Sequence, residues 1–493
     1  MDKEIIQRQL IHTCHFRNKI SDDIVVIKEK LRLKNNSIIP NIRIIKNPLR
    51  TFYVTKPAYR NHKHKKAYET IDKLDKIVCR NNELEYKLKK ALGKHNRSNK
   101  LYNLLNNPYV YGADISLEVL IKIRYELENK NKSIPLDIGY FDIEVSMMEK
   151  NYLDDNEVIC VSFSHKDTIY TGFLKYLMFQ EDPRTKRIVP FTLEELKAKS
   201  STVIENELSK LPKEYKFKYE YFIAKSEKDL LKWTFDTINK NNTDFLGIWN
   251  MKFDIPHILK RMNKLGMNQK EIICNDEIPD DCRYLYYYED KTPVSHFSLK
   301  WDWFYSTSGT QFIDGLGLYS LLRKTSGYES SYKLDDILKK NINLRKLSLG
   351  KDESHRIMQS RHFLDYIIYN QFDVIGPHIM ELNNQDILQM YKRCGVNTLD
   401  KFNRMNLFLK NNFYSFFLKK GRVIASIGSK YTVPFEDKFW SCDCGRLTGQ
   451  QFKGRLCEVC ETKVISKLGG AVLQPSRCVG VGLNMRNDMI FET

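Results

Sequence analysis

The chain has no run of eighteen or more apolar residues, so nothing in it reads as a membrane-spanning helix. Its amino terminus, MDKEIIQRQ, carries too much charge for a secretory signal. A disulfide framework is also missing. Eleven cysteines are few for 493 residues, and seven of them (Cys14, Cys79, Cys160, Cys274, Cys282, Cys394 and Cys478) lie far apart, as reduced thiols do. No internal repeat or low-complexity tract stands out. These absences point to a cytoplasmic globular protein, and the length calls for about two to four domains.

What is present in excess is positive charge. The formal net charge is +19, and residues 1–136 hold 29 Lys and Arg against 14 Asp and Glu, so most of the surplus is amino-terminal. A polyanion such as nucleic acid is the economical partner, because neutralising phosphates releases counterions. A solvated basic face or an anionic membrane surface would account for the same charge. The cluster KPAYRNHKHKK (56–66) mixes Tyr and His with its cations, which suits base or sugar contacts.

The texture of the chain divides it in three. Residues 1–136 form a basic domain of short strand-like runs (IIPNIRII, TFYV) with a charge-rich helix predicted from about 66 to 92, ending at a glycine. From 137 to 385, YFDIEVS reads as a strand with VICVSFS and IYTGFL as hairpin neighbours. DFLGIWN is a further strand, DIPHILKRMNKLG a helix, and FIDGLGLYSLLRK a strand running into a helix; SYKLDDILKK and HFLDYIIYNQFDVIGPHIMEL are helical. Three strands followed by strands alternating with helices predict an α/β fold with a mixed sheet covered by helices. Residues 386–493 are less regular, with helical material, clustered cysteines and a Gly-rich tail.

Within YFDIEVS, Asp142 and Glu144 are two apart and therefore share a strand face, where like charges repel. A half-exposed edge strand would tolerate them, and a D-x-E triplet arises by chance about twice in a chain of ordinary composition and this length. The alternative is a divalent cation, magnesium or manganese, held between hard oxygen ligands. That alternative needs more acids. Asp254 follows a strand end in GIWNMKFDIPH, where loops carry chemistry, and Asn250 four residues earlier could bind a substrate through its amide. Asp373 lies on the long predicted helix, one turn after Tyr369 and on the same face. Taken singly, Asp254 also reads as a helix-capping acid and the Tyr369–Asp373 pair as ordinary packing beside a surface acid.

In order and in rough spacing, YFDIEVS, WNMKFD and YNQFD resemble the three exonuclease motifs of family B DNA polymerases (D-x-E, N-x2-3-F/Y-D and Y-x3-D). The interval between Asn250 and Asp254 is the shorter of the family's two forms, nearer the protein-primed branch. PYVYGADISLEVLIKIRY is similar to the lead-in of the family's phage members, and the resemblance covers about residues 100 to 385. It implies a ribonuclease-H-like domain that removes nucleotides from a DNA 3′ end with two Mg²⁺ or Mn²⁺ ions clamping the scissile phosphate. By the same resemblance Asp142 would bridge both ions, Glu144 and Asp373 would complete the water-activating site, and Asp254 would hold the second ion. Tyr369 would orient the attacking water, while Asn250 and Phe253 would touch the terminal nucleotide.

The four remaining cysteines, Cys442, Cys444, Cys457 and Cys460, are spaced C-x-C-x12-C-x2-C, two close pairs suited to a tetrahedral structural Zn²⁺. The segment resembles the amino-terminal zinc module of the largest bacterial RNA polymerase subunit. The palm segments expected of the family, D-x2-S-L-Y-P-S and D-T-D, do not occur, and the tail from Gly469 is similar to the strand leading into the first of them. The expectation is the front half of a large-bacteriophage polymerase, proofreading for a second polypeptide that supplies palm, fingers and thumb, or a fragment of a longer chain. Two competing readings are a nucleic-acid-binding zinc protein with an inert exonuclease fold and a free-standing repair exonuclease.

Overall fold

The structure is a computed structural model that describes residues 4–18, 20, 22–61, 68–93, 100–105, 107–129, 133–148, 156–292, 296, 300–324, 327–347, 354–424, 440–442, 447, 452–459 and 461–466. The chain divides into two compact units, one of residues 1–38, 43–132 and 391–493, the other of residues 39–42 and 133–390. Among the described residues no helix is long and apolar enough to cross a membrane.

The second unit is built on a six-stranded mixed sheet. Its strands are β1 (Ile138–Val145), β2 (Val158–His165), β3 (Thr168–Leu174), β4 (Lys218–Ala224), β5 (Phe245–Ile248) and β6 (Gln311–Asp314), in the spatial order β4-β3-β2-β1-β5-β6. β1, β2 and β3 form an antiparallel meander, with a tight turn at Lys166, whose φ of 54° lies in the left-handed region. β4 then adds parallel to β3, while β5 and β6 add parallel beyond β1. Parallel neighbours need crossovers, and the helices that supply them cover the sheet. These are α1 (Leu193–Leu208), α2 (Glu227–Asn241), α3 (Met251–Lys264), α4 (Gly315–Leu322), α5 (Leu334–Ile342), α6 (His355–Arg361) and α7 (Phe363–Asn384). The mixed α/β architecture predicted from the order of strands and helices is the one observed.

Several local signals explain the boundaries. Thr192 caps α1 in a reciprocal box with Glu195, and Ser226 caps α2. α2 is tied down by Glu227, buried and paired with Arg261 of α3, whose Nε donates at 2.8 Å; the same carboxylate accepts the Val158 N–H at 2.9 Å. β1 crosses β2 so closely at Gly139 that a Cβ there would lie 1.9 Å from the Ser164 carbonyl oxygen. α7 is buried along most of its length, from Phe363 to Glu381. A helix surrounded by core on this scale can bring polar residues into the interior only where they find partners.

The first unit contains the antiparallel pair Ile5–Arg17 and Asp23–Leu33, and an antiparallel sheet of Arg50–Thr55, Leu74–Cys79 and Val110–Tyr111. Its apolar core joins Tyr53, Leu74, Tyr111, Val119, Phe413 and Tyr414. One prediction fails here. Of the helix expected from 66 to 92, only Leu84–Leu92 is α-helical among the described residues, capped by Gly93 at φ 52°, with single 3-10 turns at Ile71–Lys73 and Asn81–Glu83. Tyr68–Thr70 and Leu74–Cys79 are strands, the latter paired with Arg50–Thr55. Strand pairing and burial of Leu74 and Cys79 override a charge pattern that by itself suits a helix.

Candidate metal centre

β1 alternates as expected: Phe141, Ile143 and Val145 are buried, while Asp142 and Glu144 share the other face and are partly accessible. Opposite them on β2 stand Ser162 and Cys160. α7 packs over this face and contributes Asp373, itself buried. One carboxylate oxygen from each of Asp142, Glu144 and Asp373 lies within 4.8 Å of the others. The helical spacing of Tyr366, Tyr369, Asn370 and Asp373 puts all four on a single stripe of α7.

Asp254 arrives by a different route. β5 runs parallel to β1 with Ile248 level with Phe141, so the turn after β5 opens beside Asp142. That turn ends at Asn250, whose backbone carbonyl accepts the N–H groups of Phe253 and Asp254 and starts α3. Asp254 is buried in the first helical turn, where the helix dipole favours an acid. It stands outside the group of three, but its charge is felt by Asp142 and it feels that of Glu144. The Asn250 side chain is exposed and makes no capping bond, and Phe253 stacks on His257 with ring centroids 5.2 Å apart.

Four acids in a small volume hold their protons tightly. Burial, then Asp254, Asp373 and Glu144, push Asp142 well above the usual carboxylate range. Burial and then Asp373 raise Glu144 to about 8, against the opposing pull of the Tyr366 hydroxyl. Asp254 is raised by burial and Glu144. Asp373 rises only to about 6, since burial is offset by Lys346, whose Nζ lies 2.5 Å from Asp373 Oδ2 and 4.6 Å from the Tyr369 ring centroid. Asp254 Oδ2 and Asp373 Oδ1 are buried with no hydrogen-bond partner among the described residues. Buried carboxylate oxygens without a donor fit hard divalent ions such as Mg²⁺ or Mn²⁺, which would take the place of the protons that burial and mutual repulsion favour.

Three further side chains belong to this site although no reading of the sequence singled them out. Tyr366 donates its hydroxyl to Glu144 Oε2, and His355 Nδ1 lies 3.0 Å from that hydroxyl. Asn370 Nδ2 donates to Asp142 Oδ2 at 2.7 Å. Both residues were legible as members of the Tyr369–Asp373 stripe. Lys346 was not, because it lies in the connection after α5 and no local periodicity leads to it.

With this geometry in place, residues 110–337 match the model of the DNA polymerase family B exonuclease domain. The chain carries a family B DNA polymerase exonuclease domain. The match takes in β1 with Asp142 and Glu144 and α3 with Asp254, and it stops before α7. Asp373 and Tyr369 lie beyond the matched residues, and α7 carries both to the site. A search of curated proteins found no match.

The proposed zinc ligands are described only in part. Cys442 and Cys457 are buried together with Val464, and the Leu447 N–H donates to Cys442 Sγ at 3.2 Å. Cys444 and Cys460 lie outside the described residues, as does the tail expected to resemble a palm lead-in.

Proposed function

We propose that the exonuclease domain hydrolyses the terminal phosphodiester at the 3′ end of DNA with two divalent metal ions, within a ribonuclease-H-like fold, and that it proofreads for a family B polymerase. The observation that carries this reading is the convergence of Asp142, Glu144 and Asp373 beside Asp254, with buried oxygens that lack partners. Asp142 would be the ligand common to both ions, Glu144 and Asp373 would complete one site, and Asp254 would hold the other ion. When bound, the ions neutralise the scissile phosphate and lower the proton affinity of the attacking water. Tyr369 orients that water through its hydroxyl. Lys346, held between Asp373 and the Tyr369 ring, supplies a positive charge near the phosphate. Asn250, with its free-standing amide, and Phe253 hold the terminal nucleotide from the first turn of α3.

The basic amino-terminal residues 1–136 bind the DNA backbone in this reading, residues 137–385 cut, and residues 386–493 connect to the polymerase palm, which further polypeptide supplies. Cys442, Cys444, Cys457 and Cys460 hold one structural Zn²⁺. The sulfur-directed N–H of Leu447 suits a thiolate, which binds zinc better when its charge is partly satisfied. Metal analysis should then give one zinc per chain, and a value well below one removes this part of the reading.

The central test is release of nucleotides from a single-stranded 3′ end in Mg²⁺. Asp142→Ala should lower the rate by about a thousandfold or more, since it removes the ligand common to both ions. An unchanged rate refutes the site. Salt-sensitive DNA binding without any metal-dependent cleavage by the unaltered chain would favour the inert reading instead.

A further inference from the structure

Each of the β1 acids has one oxygen committed to a donor on α7, Glu144 Oε2 to Tyr366 and Asp142 Oδ2 to Asn370. Asn370 is fully buried, so its amide must satisfy both ends within the protein. Its Nδ2 donates to Asp142, and its Oδ1 accepts from the thiol of Cys160 at 3.4 Å. Cys160 is fully buried on β2, in register with Glu144, and so sits under the same stripe of α7. An amide turned the other way would set its oxygen against the Asp142 carboxylate, losing that bond, and would leave the thiol sulfur as a weak acceptor in place of a donor. The Asp142 carboxylate, which only accepts, and the thiol proton given to Oδ1 together favour the orientation in which Asn370 faces Asp142 with N–H.

We propose that Asn370, locked by the thiol of Cys160, is a positioning residue that fixes the carboxylate of Asp142 for the divalent ions, by holding Oδ2 and leaving Oδ1 to turn toward Glu144 and Asp373. This rests on the metal-site reading above. Without Asn370 the Asp142 side chain rotates about its terminal torsion, which is broad for a carboxylate, and presents a shared ligand that is no longer aimed. Outer-shell partners of this kind are worth about 10–100-fold in metal affinity or activity.

Mn²⁺ binding to the full-length chain, followed as loss of the free-ion signal by electron paramagnetic resonance, reads this directly. Asn370→Leu, similar in size but unable to hydrogen-bond, should weaken Mn²⁺ binding by about 10–100-fold and lower kcat on a single-stranded oligonucleotide by a like factor, with KM unchanged. Cys160→Ser, which keeps a donor, should bind Mn²⁺ as the parent does, while Cys160→Ala should lose several-fold. Wild-type Mn²⁺ affinity in Asn370→Leu overturns the proposal. If that variant does not fold, the cysteine pair decides: equal affinities for Cys160→Ser and Cys160→Ala overturn the lock, and the predicted split supports it. Asp142→Ala separates this from the reading beneath it. If Asp142→Ala binds and cleaves like the parent, the metal site itself is wrong; if it is inactive while Asn370→Leu is normal, only the positioning role falls.

Discussion

Replacing Glu144 with Gln should make the metal-free protein more stable, by an amount that grows with pH. The acid ordinarily releases its proton near 4.5, but in the fold burial and the nearby Asp373 raise that value to about 8. Between these limits the folded chain holds a proton that the unfolded chain has released, so stability falls as pH rises and the loss is complete above about 8. At about 1.4 kcal/mol for each tenfold change in proton affinity, the ceiling is ~5 kcal/mol. Glu144 is partly accessible, and screening by water brings the expected figure to ~2 kcal/mol. Gln keeps an oxygen for the Tyr366 hydroxyl and sheds the charge, so the variant escapes this loss. In thermal unfolding with a chelator, the two proteins should melt together near pH 5, and Glu144→Gln should melt ~5 °C higher at pH 8.5. Mg²⁺ should raise the melting point of the parent at pH 8.5 far more than that of the variant, because binding to the folded state adds stability only where the ligands remain. A pH-independent difference, or a variant less stable than the parent at pH 8.5 without metal, would refute the electrostatic account of the site.

Two further substitutions test the scaffold that positions the acids. Gly139→Ala sets a Cβ against the Ser164 carbonyl near the start of β1 and should cost at least about 2 kcal/mol by denaturant titration; a neutral result would mean that β1 sits farther from β2 there. Arg261→Leu leaves Glu227 buried without its ion-pair partner at the junction of α2, α3 and β2 and should cost about 3–5 kcal/mol, whereas a loss under 1 kcal/mol would show that the pair is solvated.

How much of this was legible in advance differs from element to element. YFDIEVS could be assigned as a strand, because aromatic and β-branched residues crowd it, and the two-residue period then put Asp142 and Glu144 on one face. The strands β2 and β3 that follow β1 and the strand-to-helix steps at Ile248 and Asp314 were readable for the same reason, with hydrophobic runs bounded by turn residues, though β3 pairs with β2 and not with β1. The stretch from 66 to 92 was misread because Leu74–Cys79 takes its conformation from pairing with Arg50–Thr55, a contact that no local pattern announces. Similarly, Lys346 reaches Asp373 only because the connection after α5 folds back onto α7.

The sequence by itself determined the kind and order of the acids: a pair two apart on a strand, one after a strand end, and one a helical turn beyond a tyrosine. Those are local matters, set by backbone periodicity and by which residues end an element. Tertiary structure alone decided that Asp142, Glu144 and Asp373 come within 4.8 Å while Asp254 stands beside them, that Lys346 balances one acid, and that Tyr366 and Asn370 hold two others. Proximity between residues hundreds of positions apart depends on strand order and helix packing. Those are chosen by burial of the whole core rather than by any single motif.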